Sequence, residues 1–153
     1  MEMRESIEKG IYLAKNRCFE DAIKVFEEGL CFTQHSIAMS YYALCIAEVE
    51  GNYDKAVSLC LMAAQREFYH PDVYLNLGKI FLLNGKKSVA VKSFKKGLHL
   101  DKTHAELVSL IKKLGVRRKP MIPFLPRHNF INRLLGKLSH RWGHKTIAVY
   151  HPR

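Results

Sequence analysis

Ala90-Val91-Lys92-Ser93-Phe94-Lys95-Lys96-Gly97 decides the fold, because its frame of small, bulky and small residues recurs at a 34-residue step. The earlier copies are Ala22…Phe26…Gly29 and Ala56…Cys60…Ala63. Spacings of four and three place the members of each frame on one face of a helix. A small residue on that face lets a second helix approach closely, and a bulky one fills the space between neighbouring pairs. The step is therefore one structural unit, two antiparallel helices, and such units stack into a solenoid.

Units begin near residues 3, 37 and 71 and run over about 3–36, 37–70 and 71–104. Turn signals fall where each pair must bend, at Lys15-Asn16-Arg17, Glu50-Gly51-Asn52 and Asn84-Gly85-Lys86. The last two use glycine to end a helix. His70-Pro71-Asp72 opens the third unit with proline in the first turn, where its missing amide hydrogen costs nothing. A further helix over about 103–114 carries Leu107, Leu110, Ile111 and Leu114 and stops at Gly115. It reads as a cap, since the last unit would otherwise leave its apolar face in water.

The third unit, Tyr74-x-x-Leu77-Gly78-x-x-Phe81 followed by Ala90-x-x-x-Phe94, resembles the tetratricopeptide-repeat (TPR) pattern of Trp-x-x-Leu-Gly-x-x-Tyr, then Ala, Phe and Pro. The first unit keeps Gly10, Ala22, Phe26 and Gly29 but has Ser6 and Lys9 at large apolar positions of the pattern. The second has Leu44 for the glycine and Cys60 for the phenylalanine, and Gln34, Phe68 and Lys102 stand at the terminal proline positions. The resemblance covers residues 3–114. It implies an all-α, right-handed α-α superhelix of three helix pairs plus the cap, with the first helix of each pair lining a concave groove.

Carried across residue by residue, that groove comprises Arg4, Ile7, Ile11 and Lys15 from the first unit, Ala38, Tyr41, Cys45 and Glu48 from the second, and Asp72, Leu75, Lys79 and Leu82 from the third. The lining is mainly apolar, which suits an extended hydrophobic peptide or an amphipathic helix. The resemblance thus implies a non-catalytic protein-protein interaction module, an adaptor with a protein or peptide partner. Two readings of the apolar set stand side by side, ligand lining and packing between helices. In family members that clamp the carboxylate-ended tails of chaperones, Lys and Asn occupy first-unit positions and Lys and Arg third-unit ones. Here Ile7, Ile11, Asp72 and Asn76 take those places, so the clamp is absent and such tails are not the implied ligand.

At 153 residues, 48% hydrophobic and 25% charged, the chain has the composition of one globular domain with a tail. Its net charge of +11 is unevenly spread. Residues 1–102 hold 14 Lys and Arg against 13 Asp and Glu, whereas residues 103–153 hold 11 against the lone Glu106. Such asymmetry points to a polyanion, an anionic membrane or an acidic protein face. Cys18, Cys31, Cys45 and Cys60 form no Cys-x-x-Cys pair and fall in helical periodicity, so they read as structural thiols. Neither a signal peptide nor an apolar run of the roughly 18 residues that span a bilayer is expected, and a cytoplasmic location follows as the default.

No constellation of catalytic residues emerges. Gly85-Lys86-Lys87-Ser88 lacks the earlier glycine and the strand of a phosphate-binding loop and reads as a turn. His140 and His144 share a helical spacing but have no acidic neighbour, so no metal or other cofactor is expected there. The cysteines have no positioned base.

Residues 115–153 form a basic tail that opens with an extended connector marked by Pro120, Pro123 and Pro126. Beyond it, a helix over about 129–142 aligns Phe130, Ile131, Leu134, Leu135, Leu138 and Trp142 on one stripe. Arg133, Lys137, Arg141 and Lys145 give that amphipathic helix a basic surface. Its apolar stripe calls for a cover: the chain's own groove, giving self-regulation; a second copy, giving self-association; or an anionic membrane, giving a peripheral scaffold. Nucleic acid ranks last, because Trp142 and Tyr150 are isolated and form no stacking platform.

Overall fold

The computed structural model describes residues 3–28 and 31–115. Among them the chain is all helical: α1 (Met3–Lys15), α2 (Phe19–Glu28), α3 (Cys31–Gln34), α4 (Ser36–Val49), α5 (Tyr53–Arg66), α6 (Pro71–Leu83), α7 (Lys87–Leu100) and α8 (Ala105–Lys113). Helices α1 and α2, α4 and α5, and α6 and α7 pack as pairs, and the pairs stack through α4 against α2 and α6. Stacked pairs of this kind build an α-α solenoid. The described residues all belong to one compact unit. The proposed tail helix and its basic residues Arg133, Lys137, Arg141 and Lys145 lie outside the described residues.

The recurrent frame acts through close helix approach. A β-carbon built on Gly10 would lie 2.8 Å from Cδ1 of Phe26, and one on Gly78 would lie 2.8 Å from Cζ of Phe94. Both rings are fully buried. In the second pair the equivalent positions hold Leu44 and Cys60, so bulk moves from the second helix to the first and the layer keeps its volume.

Helix α4 forms the centre of the unit. Eleven of its residues are buried, on every side, because α1, α2, α3, α5 and α6 all pack on it. The short α3 stands between the first pair and α4, an element that the 34-residue frame does not encode. Phe32 of α3 stacks on Tyr42 of α4, with ring centroids 4.2 Å apart.

Helix ends follow local chemistry. The left-handed residue that closes the first helix of each pair is Arg17 (φ 64°), Gly51 (φ 65°) and Gly85 (φ 70°), again at the 34-residue step. The first helix of each later pair, and α8 after them, begins on a histidine whose Nδ1 accepts a backbone N–H: His35 from Ala38, His70 from Asp72 and His104 from Leu107. Cys45 and Cys60 are buried, whereas Cys18 is exposed in the turn before α2 and corrects the expectation of structural thiols throughout. A turn residue gains no cover from a facing helix.

Candidate functional site

The first helices of the pairs and the capping helix face one open recess. Ala14 and Lys15 come from α1, Tyr41, Leu44 and Glu48 from α4, Asp72, Leu75, Lys79 and Leu82 from α6, and Glu106 and Leu110 from α8. Two adjoining lobes of about 360 and 260 Å³ share Ala14, Lys15, Leu44, Lys79 and Glu106.

A polar cluster sits at its floor, centred on Asp72. The Tyr41 hydroxyl donates to Asp72 Oδ2 at 3.0 Å, and His104 Nε2 meets Asp72 Oδ1 at 2.9 Å. Because His104 Nδ1 accepts from the Leu107 amide, the ring proton resides on Nε2 and points at the carboxylate. Lys15 Nζ lies 3.9 Å from Asp72 Oδ2. Burial by itself raises the Asp72 carboxyl, but hydrogen bonds from His104 and Tyr41, with the Lys15 charge, outweigh it and hold the group below the usual carboxylate range. The Tyr41 phenol is pushed up, chiefly by burial and then by the Asp72 charge. Beside this cluster Lys79 Nζ and Glu106 Oε1 pair at 2.7 Å, joining α6 to α8.

Of the groove residues read from the sequence, the recess brings together Lys15, Tyr41, Glu48, Asp72, Leu75, Lys79 and Leu82. Others stand elsewhere. Ala38 and Cys45 have no exposed surface and belong to the core, which corrects their place in an open lining. The cause is the enclosure of α4: an aligned position fixes the side of a helix but not its depth. Burial, then the charge of Glu48, pushes the Cys45 thiol up to about 12, so it stays protonated. Ile7 and Ile11 pack against the core, and Arg4 pairs with Glu8 at 3.1 Å on the exposed side of α1. Asn76, at a clamp position, is fully buried and donates to Ser40 Oγ at 3.0 Å.

The lining is also less apolar than its alignment suggests, since Arg17 and Glu106 add charge there and His104 adds a polar ring. His104 was detectable from its 34-residue distance to His70, which holds the same cap position. Glu106 carries no such mark. Among the described residues no group of three or more His, Cys, Asp or Glu is placed to hold a metal ion, and no helix is long and apolar enough to cross a membrane.

Known proteins resemble this arrangement. No family model matches the chain. An Hsp70-Hsp90 organising protein of Plasmodium falciparum (isolate 3D7) is 27% identical over 104 residues, which are 63% of this chain and 18% of that protein. The first TPR of Spaghetti (RPAP3), solved bound to the HSP90 peptide SRMEEVD, superimposes with a TM-score of 0.61 at 18% identity over 74% of this chain and 93% of its own. The second TPR domain of human RPAP3, in complex with the HSP70 peptide SGPTIEEVD, gives 0.57 at 18% identity over 73% of this chain and 93% of its own. The repeating frame, the helix pairs that it builds and these likenesses show that the described residues adopt a fold of the tetratricopeptide-repeat kind.

Proposed function

We propose that this chain is a non-catalytic adaptor that docks a peptide or short helix in the recess between α1, α4, α6 and α8. The observation that carries this reading is the convergence of Lys15, Tyr41, Glu48, Lys79 and Leu82 on one open cleft from separate helices. Exposed Lys15 and Glu48 offer charges of both signs, and Leu82 and Leu110 offer apolar surface. That mixture suits an amphipathic segment. Groups that act elsewhere as acid or base are tied to one another here, Asp72 to Tyr41 and His104, and Lys79 to Glu106.

The ligand differs from the peptides of the structural neighbours. SRMEEVD and SGPTIEEVD end in a dense set of carboxylates, and Asp72 here occupies a position where the clamp has lysine. Like charge at the floor disfavours such an end. Self-regulation belongs to the same reading: residues 117–153 carry 9 Lys and Arg and no acid, while residues 1–70 carry 11 Asp and Glu against 7 Lys and Arg. Opposite charge draws the tail towards the first two units.

The test is selection of a displayed 12-residue peptide library on the full chain, followed by titration of enriched peptides. Lys15→Glu with Leu82→Asp is expected to weaken them at least tenfold, deletion of residues 117–153 to tighten them, and SRMEEVD to show no saturable binding. Peptides indifferent to the recess substitutions, or micromolar saturation by SRMEEVD, overturn the proposal; unchanged affinity after deletion removes self-regulation alone.

A further inference from the structure

Helix α7 carries an unusual burden of charge. Lys86, Lys87, Lys92, Lys95 and Lys96 fall within 15 residues that contain no Asp or Glu. None of the ion pairs among the described residues engages any of them. Lys92 and Lys96, four apart on one exposed face, repel each other and disfavour the helix that holds them. An uncompensated cluster of this kind is a field directed outwards.

That field borders a cleft. Helices α5 and α7 flank a depression of about 340 Å³ floored by Tyr74 and Leu77 of α6, with Leu61 and Gln65 on one wall and Lys92 and Lys96 on the other. Lys96 Nζ lies 4.6 Å from the centroid of the Tyr74 ring, which fixes the ammonium at the rim. Leu61 is 45% exposed and its neighbour Met62 41% exposed, so apolar surface continues out of the cleft along α5. Tyr74 and Leu77 leave α6 on a different side from Leu75 and Lys79 of the recess, as their helical spacing requires. The two clefts are separate sites on the same repeat.

We propose that the cleft between α5 and α7 is a second docking site, for an acidic peptide that inserts a leucine-like side chain beside Leu61 and Tyr74 while its carboxylates meet Lys92 and Lys96. Charge complementarity selects this occupant. The chain's own C-terminal third, with 11 basic residues and one acidic, bears the same sign as α7 and is turned away. A nucleic-acid backbone would match the lysines but leave the apolar floor unused, whereas an acidic amphipathic segment uses both. The chain then joins two partners, one in each cleft.

The experiment starts from full-length protein carrying Lys15→Glu and Leu82→Asp, so that the recess is disabled. A displayed 12-residue library selected on it is expected to enrich peptides with Asp or Glu within four positions of Leu, Met or Phe. Their affinity for the wild-type chain should fall at least tenfold on Lys92→Glu with Lys96→Glu, and by a smaller factor on Lys92→Gln with Lys96→Gln, with helix content unchanged by circular dichroism. No enrichment, or enriched peptides that ignore both lysine pairs, overturns the proposal. So does tighter, lysine-dependent binding of a twenty-residue oligothymidylate, which reassigns the face to nucleic acid. Concentration-dependent dimers lost with the lysines overturn it in favour of a second copy.

Discussion

Two glycines and one carboxylate carry more of this structure than their size suggests. At Gly78 a methyl group has nowhere to go, because the Phe94 ring is fully buried against it. Alanine normally favours a helix over glycine by about 1 kcal/mol, yet Gly78→Ala is expected to destabilise the protein by about 1–3 kcal/mol through overpacking. Urea unfolding checks the sign, and Gly78→Ala with Phe94→Leu should recover part of the loss. The carboxylate is that of Asp72. Its folded carboxyl lies below the unfolded value, so the stability that it contributes is present above about pH 4 and is lost as pH falls through the lower folded value. Asp72→Asn should therefore cost about 1–2 kcal/mol near neutrality. Urea midpoints of the two proteins, followed down to pH 3, should converge; a constant gap contradicts the assignment. Much of this was legible in the sequence, since Gly10, Gly78, Phe26 and Phe94 announce close approach by type and spacing. Asp72 was placed in the groove by alignment, but its partners Tyr41 and His104 stand 31 and 32 residues away and no local pattern joins them.

At the scale of helices, the frame made the pairs legible because one packing rule applies in each unit. It did not encode α3, whose four residues are too few for a periodic signal. The exchange of Gly and Phe for Leu44 and Cys60 departs from the pattern by residue type, and the packed layer shows it as a redistribution of volume. Helix α4 was the hardest to read, because a helix buried on all sides has no polar face to set its orientation. Ala38 and Cys45 were misplaced for that reason. Helix α8 closes the stack through Leu107, which is fully buried and packs with Leu75, Ala90 and Phe94. A β-carbon on Gly97 would lie 2.7 Å from Leu107 Cδ1, so this contact has no slack. Leu107→Ala is expected to cost about 2–5 kcal/mol. Hydrogen exchange should show the loss mainly in α7 and α8, as befits a stack in which each layer touches only its neighbours; equal loss in α1 and α2 contradicts that picture.

At the scale of the described unit, charge is divided as well as shape. Residues 1–78 are acidic in sum, with 12 Asp and Glu against 7 Lys and Arg, while residues 79–102 hold 7 Lys against Asp101. A count over residues 1–102 alone cancels these halves, which is why the solenoid looked neutral in composition. The division gives two clefts different tastes, mixed charge in the recess and positive charge between α5 and α7. The account stands on the recess as a docking surface for another polypeptide. Its most direct test is amide NMR of the full chain titrated with a peptide selected on the Lys92→Glu, Lys96→Glu variant, which leaves only the recess to bind. Shifts are predicted at Lys15, Tyr41, Glu48, Lys79 and Leu82, and shifts confined to α2, α5 and α7 would contradict the account.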